Sequence, residues 1–91
     1  MPGDARVIAI SDAEIRFVTV RGNGLQPDQV FDARLFVGSG PSVSQRGVAD
    51  GQGRFVIHFA VNNSTPINPL TLSGYVRATT VRLDFGAGAL S

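Results

Sequence analysis

From Arg54 to Val61 the chain alternates without a break. Phe55, Ile57, Phe59 and Val61 fall on one side, and Arg54, Val56, His58 and Ala60 on the other. Such a period of two is a β-strand with one buried face, because successive side chains of a strand point to opposite sides. Asp50-Gly51-Gln52-Gly53 precedes it as a turn. The same period recurs along the chain. Arg6–Ile10 is a short β-prone run, with Ser11-Asp12-Ala13 as a break. Glu14–Arg21 is a second strand, apolar in both phases: Ile15 and Phe17 on one, Val18 and Val20 on the other. A strand of that kind is central in its sheet or covered by a neighbouring chain. Val30–Val37 places Phe31, Ala33, Leu35 and Val37 on one face and Asp32 and Arg34 on the other, where a surface pair would contribute little. Val43–Ala49 is polar and short, as edge strands often are, and with 54–61 it is expected to form a hairpin across the Asp50 turn.

The last β region runs from Leu70 to Phe85. Leu70, Leu72, Gly74, Val76 and Ala78 hold one phase; Val81, Leu83 and Phe85 hold the other. A slip of one residue turns every side chain to the opposite face, so a bulge or a passage between sheets is expected at Thr79-Thr80. Turn formers separate the runs at Gly22-Asn23-Gly24, Gln26-Pro27-Asp28, Gly38–Ser42 and Asn62–Pro69, where two prolines exclude a sheet. No run has helical periodicity. About six to seven short strands with regular turn signals predict an all-β fold, an antiparallel β-sandwich, with a small β-barrel as the alternative. A length of 91 residues makes this one domain, with its core between residues 6 and 85 and 86–91 as a tail.

Composition narrows the functional classes. The chain has no cysteine, which removes disulfides, thiolate nucleophiles and Cys-ligated metals together. Net charge is +1, and the arginines are scattered along the sequence without a run, so no nucleic-acid face or membrane-surface patch is expected. No apolar run approaches the roughly 20 residues of a membrane-spanning helix. The N-terminus lacks the basic-then-apolar order of a secretory signal. The chain therefore reads as a small complete protein, or as a domain cut from a larger exported one.

Two segments carry a resemblance. Val20-Arg21-Gly22-Asn23-Gly24-Leu25-Gln26-Pro27-Asp28 is a strand running into Gly-x-Gly, an apolar residue, x, Pro and a polar residue. Ala49-Asp50-Gly51-Gln52-Gly53-Arg54-Phe55 is an Asp-x-x-Gly-x-Phe turn entering a strand. In that order they resemble bacterial immunoglobulin-like domains of surface and secreted proteins, related to modules on tailed-phage particles. The resemblance covers about Glu14 to Phe85 and implies an immunoglobulin-like sandwich serving as a spacer, display or adhesive module. It carries no catalytic residues. The chain departs from antibody-type domains in having neither a Cys pair nor a core Trp.

Candidate chemistry is thin. His58 is the sole histidine and sits mid-strand on the outer phase, whereas catalytic groups usually lie on loops or strand ends. It reads as a solvated or interface side chain. Asp28, Asp32 and Asp50 could serve as a carboxylate pair or bind calcium, but aspartate is a common turn former, and the Asp50 turn lacks the string of oxygen ligands of a calcium loop. Gly22-x-Gly24, Gly38-x-Gly40 and Gly86-x-Gly88 precede no helix and are not phosphate cradles. Asn62-Asn63-Ser64 and Asn63-Ser64-Thr65 fit the glycosylation sequon but read as a polar loop. Neither a catalytic nor a metal site is expected, and no cofactor.

The expectation is a non-catalytic structural or interaction module that packs with itself or docks on a larger particle or surface, such as a phage capsid or tail decoration. It would work on a virion or cell surface with other protein chains as partners. Val18, Val56, His58 and Ala60 are the candidate protein interface, because apolar side chains on an outer phase suggest a partner. Edge strands at 6–10 and 43–49 could be paired in an assembly. The alternative is a carbohydrate-binding or adhesive module, with Tyr75 and Arg77 as its ligand face.

Overall fold

The computed structural model describes residues 3–12, 16–38, 42–61, 67–79 and 81–86. Seven strands form: β1 (Asp4–Asp12), β2 (Arg16–Asn23), β3 (Val30–Val37), β4 (Val43–Val48), β5 (Phe55–Val61), β6 (Leu72–Arg77) and β7 (Arg82–Gly86), with a 3-10 turn at Pro69–Thr71. They make two antiparallel sheets, ordered β1-β2-β5 and β4-β3-β6-β7. This is the sandwich that the alternating runs predict, not a closed barrel. β2 is central, as its two apolar phases suggested, and β1 and β4 are edges. Compared with constant-type immunoglobulin domains, where the fourth strand joins the sheet of the first, second and fifth, β4 here lies beside β3.

The core fills the space between the sheets. Phe55, Ile57, Phe59 and Val61 of β5 face Phe31, Ala33, Leu35 and Val37 of β3, with Val18, Val20, Leu72, Val76, Leu83 and Phe85 around them. Phe31 and Phe55 bridge the sheets with ring centroids 5.1 Å apart, and Phe59 and Phe85 do so at 6.4 Å. Each tilted ring contact adds to the burial of apolar area. Glycines make room for these rings. Gly22 lies opposite Phe55, Gly47 opposite Phe31 and Gly74 opposite Phe85, and a Cβ at any of the three would fall onto the facing ring. A ring laid over a cross-strand glycine restores the packing that the missing side chain would forfeit.

Several expectations are corrected. β4 and β5 do not form a hairpin. β4 pairs with β3, Val30 opposite Val48 and Leu35 opposite Val43, while β5 pairs with β2. The Asp50 turn carries the chain across the core from one sheet to the other. An Asp-Gly turn has the same local chemistry whichever sheet receives its strands, so sequence did not separate the two. Nor do residues 72–85 form one bulged strand or pass from one sheet to the other. Leu72–Arg77 and Arg82–Gly86 are two strands of one hairpin, Arg77 opposite Arg82 and Val76 opposite Leu83, with Ala78 N donating to Val81 O at 2.8 Å. Facing partners share a face, and pairing 76 with 83 places an even position opposite an odd one. The turn itself reverses the phase. The bulge lies instead in β1, between Val7 and Ala9.

Element bounds also move. β1 starts at Asp4 and includes Ser11 and Asp12, β2 runs on through Gly22 to Asn23, and Gly86 belongs to β7. Leu70 lies in the 3-10 turn and is 81% exposed. Ile15, Thr80, the Ser39–Pro41 part of the loop after β3, the sequons at 62–65 and the tail beyond Gly86 lie outside the described residues.

Candidate functional site

Two outer faces and one loop junction hold the residues singled out by sequence. On the outer face of β1-β2-β5, Arg21 lies opposite Val56, Thr19 opposite His58 and Phe17 opposite Ala60. β1 adds Arg6 opposite Arg21 and Ala9 opposite Thr19. Val56, His58 and Ala60 are exposed, as the alternation of β5 requires. His58 Nδ1 and Thr19 Oγ1 are 3.0 Å apart. Thr19 is the hydrogen-bond partner of His58 among the described residues, and none of their serines or carboxylates is bonded to the ring as in a hydrolytic triad.

Val18 is corrected. It is 0% exposed and belongs to the core. Its facing partner is Phe59 and that of Val20 is Ile57, so the buried face of β5 dictates which phase of β2 turns inward. Hydrophobicity alone left the phases of this strand equivalent. Phe17 is half-buried on the outer side, where Val18 was placed.

The outer face of β4-β3-β6-β7 is a lattice of charges. One row reads Arg46, Asp32, Arg77, Arg82; the next reads Ser44, Arg34, Tyr75, Asp84. Four arginines against two aspartates leave this face with an excess of two positive charges. Asp32 pairs with Arg46 at 3.1 Å, not with Arg34 two residues on. Arg34 Nη1 donates to Ser42 Oγ at 2.7 Å. The Arg82 guanidinium lies 4.4 Å from the Tyr75 ring centroid and is 3.1 Å from Asp84. Such a cation occupies one ring face and is held by the ring quadrupole. Arg77 makes no ion pair or hydrogen bond with a described residue. An open concavity of about 610 Å³ lies here, lined by Asp32, Arg34, Ser44, Arg46, Tyr75 and Arg77 among others. Tyr75 and Arg77 are thus brought together. The gathering of arginines was missed, because positions 34, 46, 77 and 82 lie on four different strands whose order the sequence does not state. The usable signal was that each falls on the outer phase of its own strand.

The two segments that carried the resemblance meet at the loop junction. Leu25 N donates to Gly53 O at 3.2 Å, Asp28 N to Asp50 O at 3.1 Å, and Ala49 N to Gln29 O at 2.9 Å. Leu25 and Ala49 are buried beneath. The Asp50 carboxylate accepts from the N–H of Gln52 at 2.8 Å and of Arg54 at 2.9 Å. Those bonds, that from Arg54 foremost, hold its pKa below the ordinary 3.8. Asp50 therefore orders its own turn. Among the described residues no three His, Cys, Asp or Glu side chains gather as metal ligands. Comparison with protein-family models, with curated proteins and with solved structures yields no match to this chain.

Proposed function

We propose that this protein is a non-catalytic structural or interaction module, an immunoglobulin-like sandwich that packs with copies of itself or docks on a larger particle or surface, such as a phage capsid or tail. One observation carries the reading. The outer face of β1-β2-β5 places Val56, His58 and Ala60 in the open on a strand without a charged side chain. Arg21 and Arg6 flank Val56 on this face, but the exposed positions of the strand itself are uncharged and partly apolar, as at protein contact sites. The test is the solution mass of the full chain by light scattering, from roughly micromolar to millimolar concentration. A mass above the 9.6 kDa of one chain is expected. A chain that stays monomeric and does not bind any particle or surface of its source refutes the reading.

A second reading, a carbohydrate-binding or adhesive module, is favoured by the concavity beside Tyr75 and Arg77. Its surplus of guanidinium groups suits a carboxylated or sulfated sugar, since arginine holds such groups through paired hydrogen bonds. A glycan array containing acidic and neutral sugars tests it. Binding restricted to acidic glycans and lost in Arg77→Glu supports it; an array with no binding ends it.

A further inference from the structure

The two sheets have four edges, and three of them are defended. β1 carries a bulge and the exposed charges Asp4 and Arg6. β4 carries Arg46 followed by Gly47, and β7 carries Arg82 and Asp84. Bulges, charges and prolines are the devices that keep sheet edges from pairing with other chains. β5, Phe55-Val56-Ile57-His58-Phe59-Ala60-Val61, has none of them. It contains no charged residue, no glycine and no proline, and among the described residues no strand is hydrogen-bonded on its side away from β2.

We infer that β5 is the pairing edge of this protein, and that its partner is β5 of a second copy, joined antiparallel about a two-fold axis. This rests on the structural reading above and names the surface and the occupant. The sequence of β5 is self-complementary in that arrangement. Partners in an antiparallel pair share a face, so outward positions must meet outward positions. The register that pairs the whole strand sets Phe55 opposite Val61, Val56 opposite Ala60, Ile57 opposite Phe59, and His58 opposite His58 of the other copy. Every inward residue then meets an apolar inward residue, and no charge is buried. A seven-residue strand paired this way gains about six to eight backbone hydrogen bonds, because bonded and non-bonded pairs alternate. The two three-stranded sheets become one sheet of six. Val48 and Val56, 60% and 53% exposed, line one concavity of about 600 Å³ beside this edge, together with the charged Arg21, Asp50 and Arg54. An isologous contact of this kind closes on itself and needs no third component.

The register makes the test specific. His58→Lys and His58→Glu each place like charges opposite one another, and each is expected to weaken the dimer by more than about tenfold. Mixed in equal amounts they place opposite charges together and are expected to recover the dimer mass. Far-UV circular dichroism checks that each variant is folded, which an exposed position permits. The chain has no cysteine, so His58→Cys provides a single thiol. It is expected to form an intermolecular disulfide under mild oxidation, whereas Arg77→Cys on the opposite outer face is not. Should a charged variant fail to fold, the cysteine pair still decides. A native chain that self-associates yet is unchanged by both charges, with no cross-link through position 58, overturns β5 pairing and leaves the structural reading standing. A native chain that is monomeric at millimolar concentration overturns β5 pairing and self-packing together; binding to a particle would then be the surviving part of the reading.

Discussion

Gly53→Ala is the sharpest test of how this sandwich is closed. Gly53 has φ of +77°, a region that costs a residue with a Cβ about 1–2 kcal/mol. The added Cβ would also fall on the Leu25 carbonyl, with Leu25 C only 3.0 Å away. To relieve that overlap the two crossing loops must separate. The bond from Leu25 N to Gly53 O then lengthens from 3.2 Å, a loss of about 1 kcal/mol. Restricting the unfolded chain returns about 0.4–1 kcal/mol. The net cost is about 2 kcal/mol, a fall in Tm of roughly 8–16 °C for a domain of this size. Gly51→Ala, in the same turn, is the matched control. Gly51 is exposed, a Cβ there meets nothing within 4 Å, and its φ is not positive. Its substitution is expected to change stability by less than about 0.5 kcal/mol. Urea unfolding followed by circular dichroism reads both, with thermal melts as a second measure. Equal stability of the two variants would refute the claim that the loops are locked at the Leu25–Gly53 crossing.

Gly22→Ala is expected to cost about 1–3 kcal/mol by driving a methyl into the Phe55 ring. Phe55→Leu should recover part of that loss in the double variant, and additive losses in urea unfolding would mean the two do not share space. Val18→Thr and Val56→Thr make the same near-isosteric change on a buried and an exposed site. The first is expected to cost about 1–3 kcal/mol for an unsatisfied hydroxyl and the second under about 0.5 kcal/mol; the reverse order would restore Val18 to the outer face. The folded pKa of Asp50 is lowered by hydrogen bonds from the N–H groups of Arg54 and Gln52, so its contribution is fully present above the ordinary carboxylate range and is lost as pH falls through the folded value. The stability advantage of the native chain over Asp50→Asn should therefore shrink on acidification below about pH 4; a difference independent of pH would remove the charge from the account.

The strands and most of their faces were legible in the alternation of apolar and polar residues. The alternation of 31–37 and 55–61 placed all eight core residues of β3 and β5 correctly, because a period of two admits one buried side. The turn residues located the loops, and the chemistry of Asp50 and Gly53 was local enough to be read as a turn. Which strand received which neighbour followed from packing between distant segments. An Asp-Gly turn serves a hairpin or a crossing between sheets equally well, so the sheet of β4 depended on packing over Ala49 and Leu25. The phase of β2 depended on register, since Val18 and Phe17 are equally apolar and only pairing with Phe59 turned Val18 inward. The reversal after Ala78 looked like a slip because a hairpin that sets Arg77 opposite Arg82 exchanges odd and even positions. The same reason applies to the candidate sites. Tyr75 and Arg77 were legible on one strand, but the concavity beside them is built from arginines of different strands. The isolation of β5 as an undefended edge appears only once the order β1-β2-β5 is known. Periodicity is a property of one strand, whereas edges, registers and charge lattices are properties of neighbouring pairs, and the fold creates those.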